Sequence, residues 1–108
     1  MARRVSRGEI WMYRFAQPDK RRPVLVISRN EALAVMQTAL VAGITSTVRG
    51  LPTEVPLGPE EGMKTECVVN LDHVFTIRQS DLRRYVATLG ERGLGSVCRS
   101  LGTATGCV

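Results

Sequence analysis

Apolar and polar positions alternate over much of the first half of the chain, and this period of two is typical of short β-strands. Residues 9–15 place three aromatic side chains on one face of a predicted strand, where we expect them to enter the core. Residues 24–27 form a continuous apolar run, which predicts a second strand, over residues 24–28, buried on both faces. Residues 37–44 predict a third strand, in which Gly43 indicates a bulge or a close approach by another group.

The second half of the chain continues in the same way. Runs of strand-forming residues predict four further strands, over residues 53–57, 67–71, 72–77 and 84–89. Pro56 marks the first of these as an edge strand, because proline cannot donate a hydrogen bond to a neighbouring strand.

Helices are few in this pattern. Residues 31–36 predict about a turn and a half of helix with Asn30 as its N-cap, and residues 79–83 predict one further turn. Apolar residues recur at helical spacing after Glu91, at Leu94, Val97, Cys98 and Leu101. Together these elements predict a mainly β (α+β) fold, a small antiparallel barrel or curled sheet with a C-terminal helix.

Length and cysteine usage narrow the class of protein. The 108 residues predict one domain, residues 1–108, with a core large enough to fold without disulfide bonds or a structural metal. No apolar run approaches membrane-spanning length, and the basic start lacks the apolar stretch of a secretory signal. Three cysteines without a Cys-x-x-Cys pair argue against a disulfide framework and a zinc knuckle. We therefore expect a cytoplasmic protein without a membrane partner.

The positive charge is concentrated in the first half of the chain. The net charge is +5. Nine Lys or Arg stand against four Asp or Glu in residues 1–54, whereas residues 55–108 hold six of each. Such a field suits a polyanionic partner, although a modest basic excess also occurs in domains that bind none.

Three cations in a row run directly into the second predicted strand, as Lys20, Arg21 and Arg22 followed by Pro23. The residue before a proline is restricted to extended geometry, so the backbone of Arg22 is constrained. A guanidinium held at the start of a rigid strand is a candidate phosphate ligand. The alternative is a solvated turn of no function.

A second candidate segment follows the third predicted strand. Thr45, Ser46 and Thr47 supply three consecutive hydroxyl groups, and Arg49 lies close behind them. These groups can bind phosphate oxygens, or they can satisfy the backbone of local turns.

Several catalytic classes are excluded by residue type. His73 is the one histidine, so neither cleavage by two histidines nor a zinc site with the usual ligand spacing is supported. No nucleophile elbow and no glycine-rich loop with a lysine is present. RNA cleavage by attack of the substrate's own 2′-hydroxyl remains permitted, because it needs no metal and no protein nucleophile. Arginine can orient the phosphate and stabilise its transition state.

Four fragments then appear in order with compatible spacing. They are Arg-Gly-Glu-Ile-Trp at residues 7–11, Arg-Arg-Pro-Val-Leu-Val-Ile-Ser at 21–28, Ile-Thr-Ser-Thr-Val-Arg-Gly-Leu-Pro-Thr-Glu-Val-Pro-Leu-Gly at 44–58 and Val-Val-Asn-Leu-Asp at 68–72. This order resembles the MazF/PemK (Kid) toxins of bacterial type II toxin–antitoxin systems over nearly the whole chain.

The resemblance implies an SH3-like β-barrel with a C-terminal helix, which forms a homodimer. It implies a sequence-specific endoribonuclease that cleaves single-stranded RNA without metal or other cofactor, leaving a 2′,3′-cyclic phosphate and a 5′-hydroxyl. It also implies a cognate antitoxin whose acidic, flexible C-terminal segment covers the RNA groove.

The resemblance also implies the site residues. The family's catalytic arginine and threonine match Arg22 and Thr45. Its substrate-facing positions match Ser46 and Asp72. The remaining residues that we expect to contact RNA are Lys20, Arg21, Thr47 and Arg49.

The chain departs from the family pattern at three places. Phe75 stands where an arginine is common, and Gly43 stands where the family often has alanine or proline. Residues 17–20 form a shorter loop than in many relatives. The first and last of these touch surfaces expected to read RNA, so they bear on the recognised sequence more than on cleavage itself.

Two other functions fit the same fold. One is inhibition of gyrase in the manner of CcdB-like toxins, which depend on a C-terminal Trp-Gly-Ile; this chain has Gly106-Cys107-Val108 instead. The other is a catalytically inactive RNA-binding module, to which the change at Phe75 points.

Overall fold

The structure is a computed structural model that describes residues 4–16 and 20–107. Six strands make up most of the described chain: β1 (Glu9–Phe15), β2 (Lys20–Val26), β3 (Thr38–Thr45), β4 (Glu54–Leu57), β5 (Cys67–Arg78) and β6 (Arg84–Thr88). Two α-helices accompany them: α1 (Asn30–Val35) and α2 (Glu91–Thr105). Single 3-10 turns occupy Pro59–Glu61 and Gln79–Asp81. No helix in this part of the chain is long and apolar enough to cross a membrane.

All six strands join one antiparallel sheet in the order β4-β5-β3-β2-β1-β6. Within the described residues β4 and β6 form its two edges and do not pair with each other. The sheet is therefore a curled half-barrel, and with the C-terminal helix it confirms the predicted fold class.

The alternation of side chains builds a core on each face of the sheet. Leu25 and Ile44 belong to the core on the α2 side, where Val97 of α2 is also buried. Val24, one residue before Leu25, belongs to the opposite core, which includes Trp11. The prediction that the apolar run 24–27 would be buried on both faces is confirmed, although β2 ends at Val26, before the predicted end at Ser28. Burial of the aromatic face of β1 is confirmed at Trp11.

Strand β2 begins four residues before the start expected from the sequence. Lys20–Val26 is one continuous strand, in which Arg22 pairs with Tyr13 and Pro23 with Met12 of β1. The expectation that Arg22 would lie before the strand was therefore wrong. A strand can extend through charged residues here because β3 joins β2 only from Val24 onward, so the basic part has one strand neighbour and open space on its other side.

Strand β5 combines the two strands predicted at residues 67–71 and 72–77. Ala42 of β3 pairs with Val74, but the next residue, Gly43, pairs with Asn70. The intervening residues Leu71–His73 have no partner in this register and form a bulge, which confirms the indication given by Gly43.

The predicted cap of α1 was wrong. Arg29 precedes the helix as its N-cap and makes no side-chain capping bond, while Asn30 is already helical. The Asn30 Oδ1 instead accepts the backbone N–H of Arg7 at 2.8 Å. This bond ties the N-terminal arm to the start of α1.

The fragment at residues 7–11 has a structural role. Glu9 is buried, and its Oε1 accepts the indole N–H of Trp11 at 3.0 Å and the backbone N–H of Ser6 at 2.9 Å. Gly8 supplies a φ of 87°, which a side chain at this position would strain. The fragment thus fixes the entry of the chain into β1.

Candidate active site

Two cavities meet at a shared boundary formed by β2 and β3. The larger has a volume of about 690 Å³ and the smaller about 220 Å³. Arg22, Ile44 and Thr45 line both. We call this boundary the junction.

The sheet register explains why Arg22 and Thr45 come together at the junction. The β2–β3 ladder ends at the pair Val24–Gly43. Continuing the antiparallel register by two residues in each strand sets Arg22 opposite Thr45. No ladder bonds join the two strands there, so the space between their side chains opens into the cavities.

Thr45 is oriented by its own turn. Its Oγ1 accepts the backbone N–H of Thr47 at 3.1 Å. The hydroxyl proton is left as the donor, and a phosphate oxygen in the cavity is a suitable acceptor. The two readings of the hydroxyl-rich segment are therefore compatible, because the turn bond uses a lone pair and leaves the proton.

Arg22 is exposed, and no side chain within residues 4–16 and 20–107 forms an ion pair or hydrogen bond with its guanidinium. Lys20 is on the same strand and lines the smaller cavity. With no carboxylate neutralising it from the described residues, the guanidinium keeps its five donors available for an anionic ligand.

The other residues predicted to contact RNA differ in which cavity they line. Ser46 and Thr47 line the larger cavity beside the junction. Arg21 lines a third cavity of about 400 Å³, because successive side chains in a strand point to opposite faces. Three further arginines line that cavity: Arg14, Arg83 and Arg84.

Arg49 and Asp72 line none of these three cavities. The backbone N–H of Arg49 donates to Glu54 at 3.0 Å, in a loop outside the junction. The Asp72 Oδ2 accepts the hydroxyl of Thr53 at 2.6 Å. Their contacts with RNA stay a prediction.

Sequence reasoning missed several residues that line the two cavities. Lys64, Thr65 and Arg84 line the larger one, and Asn70 and His73 line the smaller. Lys64 could have been proposed from the sequence, because it is a basic residue in the glycine-punctuated loop after β4. Arg84 comes near through its pairing with Met12, which only the tertiary register reveals.

The structure supports no metal centre in the part of the chain that it describes. No group of three or more potential ligands among His, Cys, Asp and Glu comes together there. Cys67 lines the larger cavity, but its side chain is buried. Burial raises the pKa of the Cys67 thiol, and Glu66 and Glu61 raise it further, so the thiol stays protonated at neutral pH.

Comparison with known proteins gives one consistent set of relatives. The family model described as "PemK-like, MazF-like toxin of type II toxin-antitoxin system" matches residues 6–104. The chain is 35% identical to "Probable endoribonuclease MazF2" of Mycobacterium tuberculosis over 104 residues, which cover 95% of this chain and 100% of the relative. It is 36% identical to "Probable endoribonuclease MazF5" of the same species over 103 residues, 94% of each chain.

Solved structures agree with this set. "Mycobacterium tuberculosis toxin MazF-mt6" superposes with a TM-score of 0.82 at 33% identity, over 91% of this chain and 96% of that one. The MazF in "Crystal structure of MazE-MazF (Form-III) from Deinococcus radiodurans" superposes with a TM-score of 0.82 at 26% identity, over 96% and 98%.

Proposed function

Because the chain belongs to the family of PemK-like, MazF-like toxins of type II toxin–antitoxin systems, we propose that it is a toxin endoribonuclease that cleaves single-stranded RNA. The observation that carries the proposal is the junction, where Arg22 and Thr45, from two neighbouring strands, both line two adjoining cavities. The two relatives named as probable endoribonucleases support the same assignment.

The proposed reaction is an internal transesterification. The 2′-oxygen of one nucleotide attacks the adjacent phosphorus, and the bond from phosphorus to the 5′-oxygen of the next nucleotide breaks. The products are a 2′,3′-cyclic phosphate and a 5′-hydroxyl, so the 2′-hydroxyl loses a proton and the leaving oxygen gains one. No redox change and no bound metal is required.

Arg22 is proposed to stabilise the extra negative charge that the phosphate carries in the transition state. Its planar fork can donate to two non-bridging oxygens at once. An arginine side chain keeps its charge at physiological pH, so it serves as a donor and electrostatic group rather than as a base. The Thr45 hydroxyl would donate to the same phosphate and hold it in line.

The larger cavity offers a path for the flanking RNA backbone. Lys64 and Arg84 add positive charge to it, and Ser46 and Thr47 add hydroxyl donors. Phosphate contacts of this kind position a nucleic acid without reading its sequence.

We further propose a cytoplasmic homodimer that is neutralised by a cognate antitoxin. Two solved structures that superpose on this chain are complexes of MazE with MazF from Deinococcus radiodurans, and another is a mycobacterial endoribonuclease in complex with its cognate antitoxin. An acidic, flexible antitoxin segment would compete with RNA for the cations around the junction.

The test is incubation of the purified protein with a long single-stranded RNA in EDTA, followed by chemical mapping of the new ends. We expect discrete cuts whose downstream fragments carry 5′-hydroxyl groups and whose upstream fragments carry cyclic phosphates. Intact but retarded RNA would instead indicate an inactive binding module. Inhibition of gyrase supercoiling with intact RNA would indicate a CcdB-like inhibitor.

A further inference from the structure

The smaller cavity at the junction has aromatic walls. Phe15 and His73 line it, and the His73 ring stacks on Phe75 with centroids 4.8 Å apart and an interplanar angle of 26°. Phe75 also packs against Phe15, at 5.6 Å between centroids. We call this cavity the aromatic pocket; its lining residues are Phe15, Lys20, Arg22, Gly43, Ile44, Thr45, Asn70 and His73.

These rings are not simply part of the core. The fully buried aromatic residue of β1 is Trp11, whereas Phe15 and Phe75 are half-buried and His73 is exposed. A cluster of rings that remains open beside a cavity can accept one more flat ring on its surface. The natural flat ring in single-stranded RNA is an unstacked base.

The bulge in β5 creates the pocket. His73 is one of the three residues opposite the single step from Ala42 to Gly43. This extra length sets its ring over Gly43, so closely that a Cβ at residue 43 would come within 2.7 Å of His73 Nδ1. Gly43 and the bulge therefore act together, because the ring could not occupy this place above a larger residue.

Asn70 supplies a polar group with a defined orientation. Its Oδ1 accepts the backbone N–H of Asp72 at 3.0 Å. The acceptor end of the amide is thereby engaged, and the amide nitrogen is the end left to donate to a ligand in the pocket. A donor at this place pairs with an acceptor on a base, such as a carbonyl oxygen of uracil, cytosine or guanine or a ring nitrogen of adenine, and it disfavours a base that turns an amino group towards it.

The pocket also has the right position along an RNA strand. Arg22 and Thr45 line both cavities, so a phosphate bound by them lies where the two cavities join. The nucleotide on one side of that phosphate then continues into the larger cavity, and its neighbour enters the aromatic pocket.

We propose that the aromatic pocket binds the base of a nucleotide next to the scissile phosphate, and that Phe15, His73 and Asn70 determine which base is accepted. Phe15 and His73 contribute stacking, and Asn70 contributes the hydrogen bond that discriminates. The proposal rests on the proposed RNA-cleaving function, and it adds a place and a chemistry for base selection.

The test compares four variants: His73→Ala, His73→Phe, Asn70→Asp and Thr76→Ala. Thr76 is an exposed residue of the same strand that lines none of the three cavities, so its variant is the matched control. Each protein is given short RNAs that differ in one base on either side of the cleaved bond. KM and kcat are measured for each RNA.

We expect His73→Ala to raise KM about 5- to 100-fold for the preferred base and to reduce the preference between bases, as loss of one stacking partner implies. His73→Phe keeps a ring and should retain most of the affinity. Thr76→Ala should behave like the wild type. Asn70→Asp replaces the donor by an acceptor and should shift preference towards bases with an amino group.

Two results would overturn the proposal. One is an unchanged base preference in both His73→Ala and Asn70→Asp. The other is an equal fall of kcat in His73→Ala and His73→Phe on every RNA together with an altered pH profile, which would make His73 a proton-transfer group.

A separate readout keeps base selection independent of cleavage. The same short RNAs carrying a 2′-O-methyl group cannot be cleaved, and their dissociation constants report binding alone. Base-dependent affinity that is lost in His73→Ala would support the pocket even if the wild type cut no RNA. Equal affinity for RNAs that differ in this base would overturn the proposed pocket even if the protein cleaved RNA.

Discussion

Gly43 of β3 lies directly beneath the imidazole of His73, a residue thirty positions later in the chain that the β5 bulge brings back to it. A Cβ on residue 43 would come 2.7 Å from Nδ1, closer than carbon and nitrogen pack without bonding. The absence of a side chain at position 43 is thus a requirement of the ring above it.

Gly43→Ala should displace the His73 ring from its stack on Phe75. Because the ring is exposed and can rotate away, we expect a loss of only about 1 kcal/mol in the free energy of unfolding, measured with urea. His73→Ala removes the clash, so Gly43→Ala should cost less in that background. Equal effects of Gly43→Ala in the two backgrounds would show that the two residues are not coupled.

Arg22→Lys should reduce the cleavage rate about 100- to 1,000-fold, because lysine keeps the charge but loses the bidentate fork. Stability should change little, since the side chain is exposed. Single-turnover cleavage in EDTA gives the rate. Arg29→Lys is the matched control, since Arg29 is also exposed and lines none of the three cavities. Near-normal cleavage by Arg22→Lys would exclude a phosphate-gripping role.

Thr45→Val should lower the cleavage rate about 10- to 100-fold, the usual effect of one hydrogen bond to a charged group. Valine has the same shape but neither donates to phosphate nor accepts the N–H of Thr47. Thr45→Ser preserves both bonds and should keep most of the activity. If valine and serine behaved alike, the hydroxyl would have no part in the reaction.

RNA affinity should fall steeply with salt, because bound phosphates release counterions. A plot of the logarithm of affinity against the logarithm of salt concentration measures the effect. Arg84→Gln should make that plot less steep by about one phosphate contact, since Arg84 lines the larger cavity. An unchanged slope would place Arg84 off the RNA path.

Glu54→Ala should destabilise the loop before β4 by about 1–3 kcal/mol in urea unfolding. Its Oε1 accepts the backbone N–H groups of Arg49, Gly50 and Leu51 at 3.0, 2.9 and 3.3 Å. Glu60→Ala is the control, because Glu60 is exposed and no such set of donors surrounds it among the described residues. Equal losses of stability in Glu54→Ala and Glu60→Ala would show that the three hydrogen bonds to Glu54 do not stabilise the loop.

Cys67 should resist alkylation by iodoacetamide in the folded protein near pH 8, while the exposed Cys98 and Cys107 react. The reagent attacks the thiolate, and the raised pKa of Cys67 keeps its thiol protonated. Unfolding in urea should expose the third thiol, which mass spectrometry of the alkylated protein would count.

The same shift has a consequence for stability. As pH rises through about 8.5, the usual value for an unfolded thiol, the unfolded chain loses the Cys67 proton before the folded chain does. This contribution therefore lowers stability with rising pH, and Cys67→Ala should lessen the decline.

Periodicity was sufficient to predict most strands and α2, because their apolar residues face one of two cores. It placed the start of β2 too late, since Lys20–Arg22 carry charge and charge does not indicate a strand. The register with β1, which gives Arg22 its partner Tyr13, is a tertiary property. The family resemblance named Arg22 and Thr45, but only the structure brought both residues to the lining of the same two cavities.

Base selection was harder to foresee. His73 was set aside in the sequence because a lone histidine makes no metal site and no histidine pair. Phe75 stood out as a departure from the family pattern, and the structure gives it a partner in the stack with His73. The bulge that sets His73 over Gly43 depends on pairing between β3 and β5, which are distant in the chain, and local sequence patterns do not encode such pairing.

The three-residue bulge Leu71–His73 also separates base selection from phosphate chemistry, because the two proposed functions depend on different strands. The pair proposed to act on the phosphate, Arg22 and Thr45, belongs to β2 and β3, whereas the residue proposed to read a base belongs to the bulge of β5. We expect substitution within the bulge to leave the β2–β3 register intact, because none of the bulge residues pairs with β2. If the proposed pocket reads a base, evolution or protein engineering can change the RNA sequence that is cut by altering the bulge alone, with the residues proposed for cleavage kept.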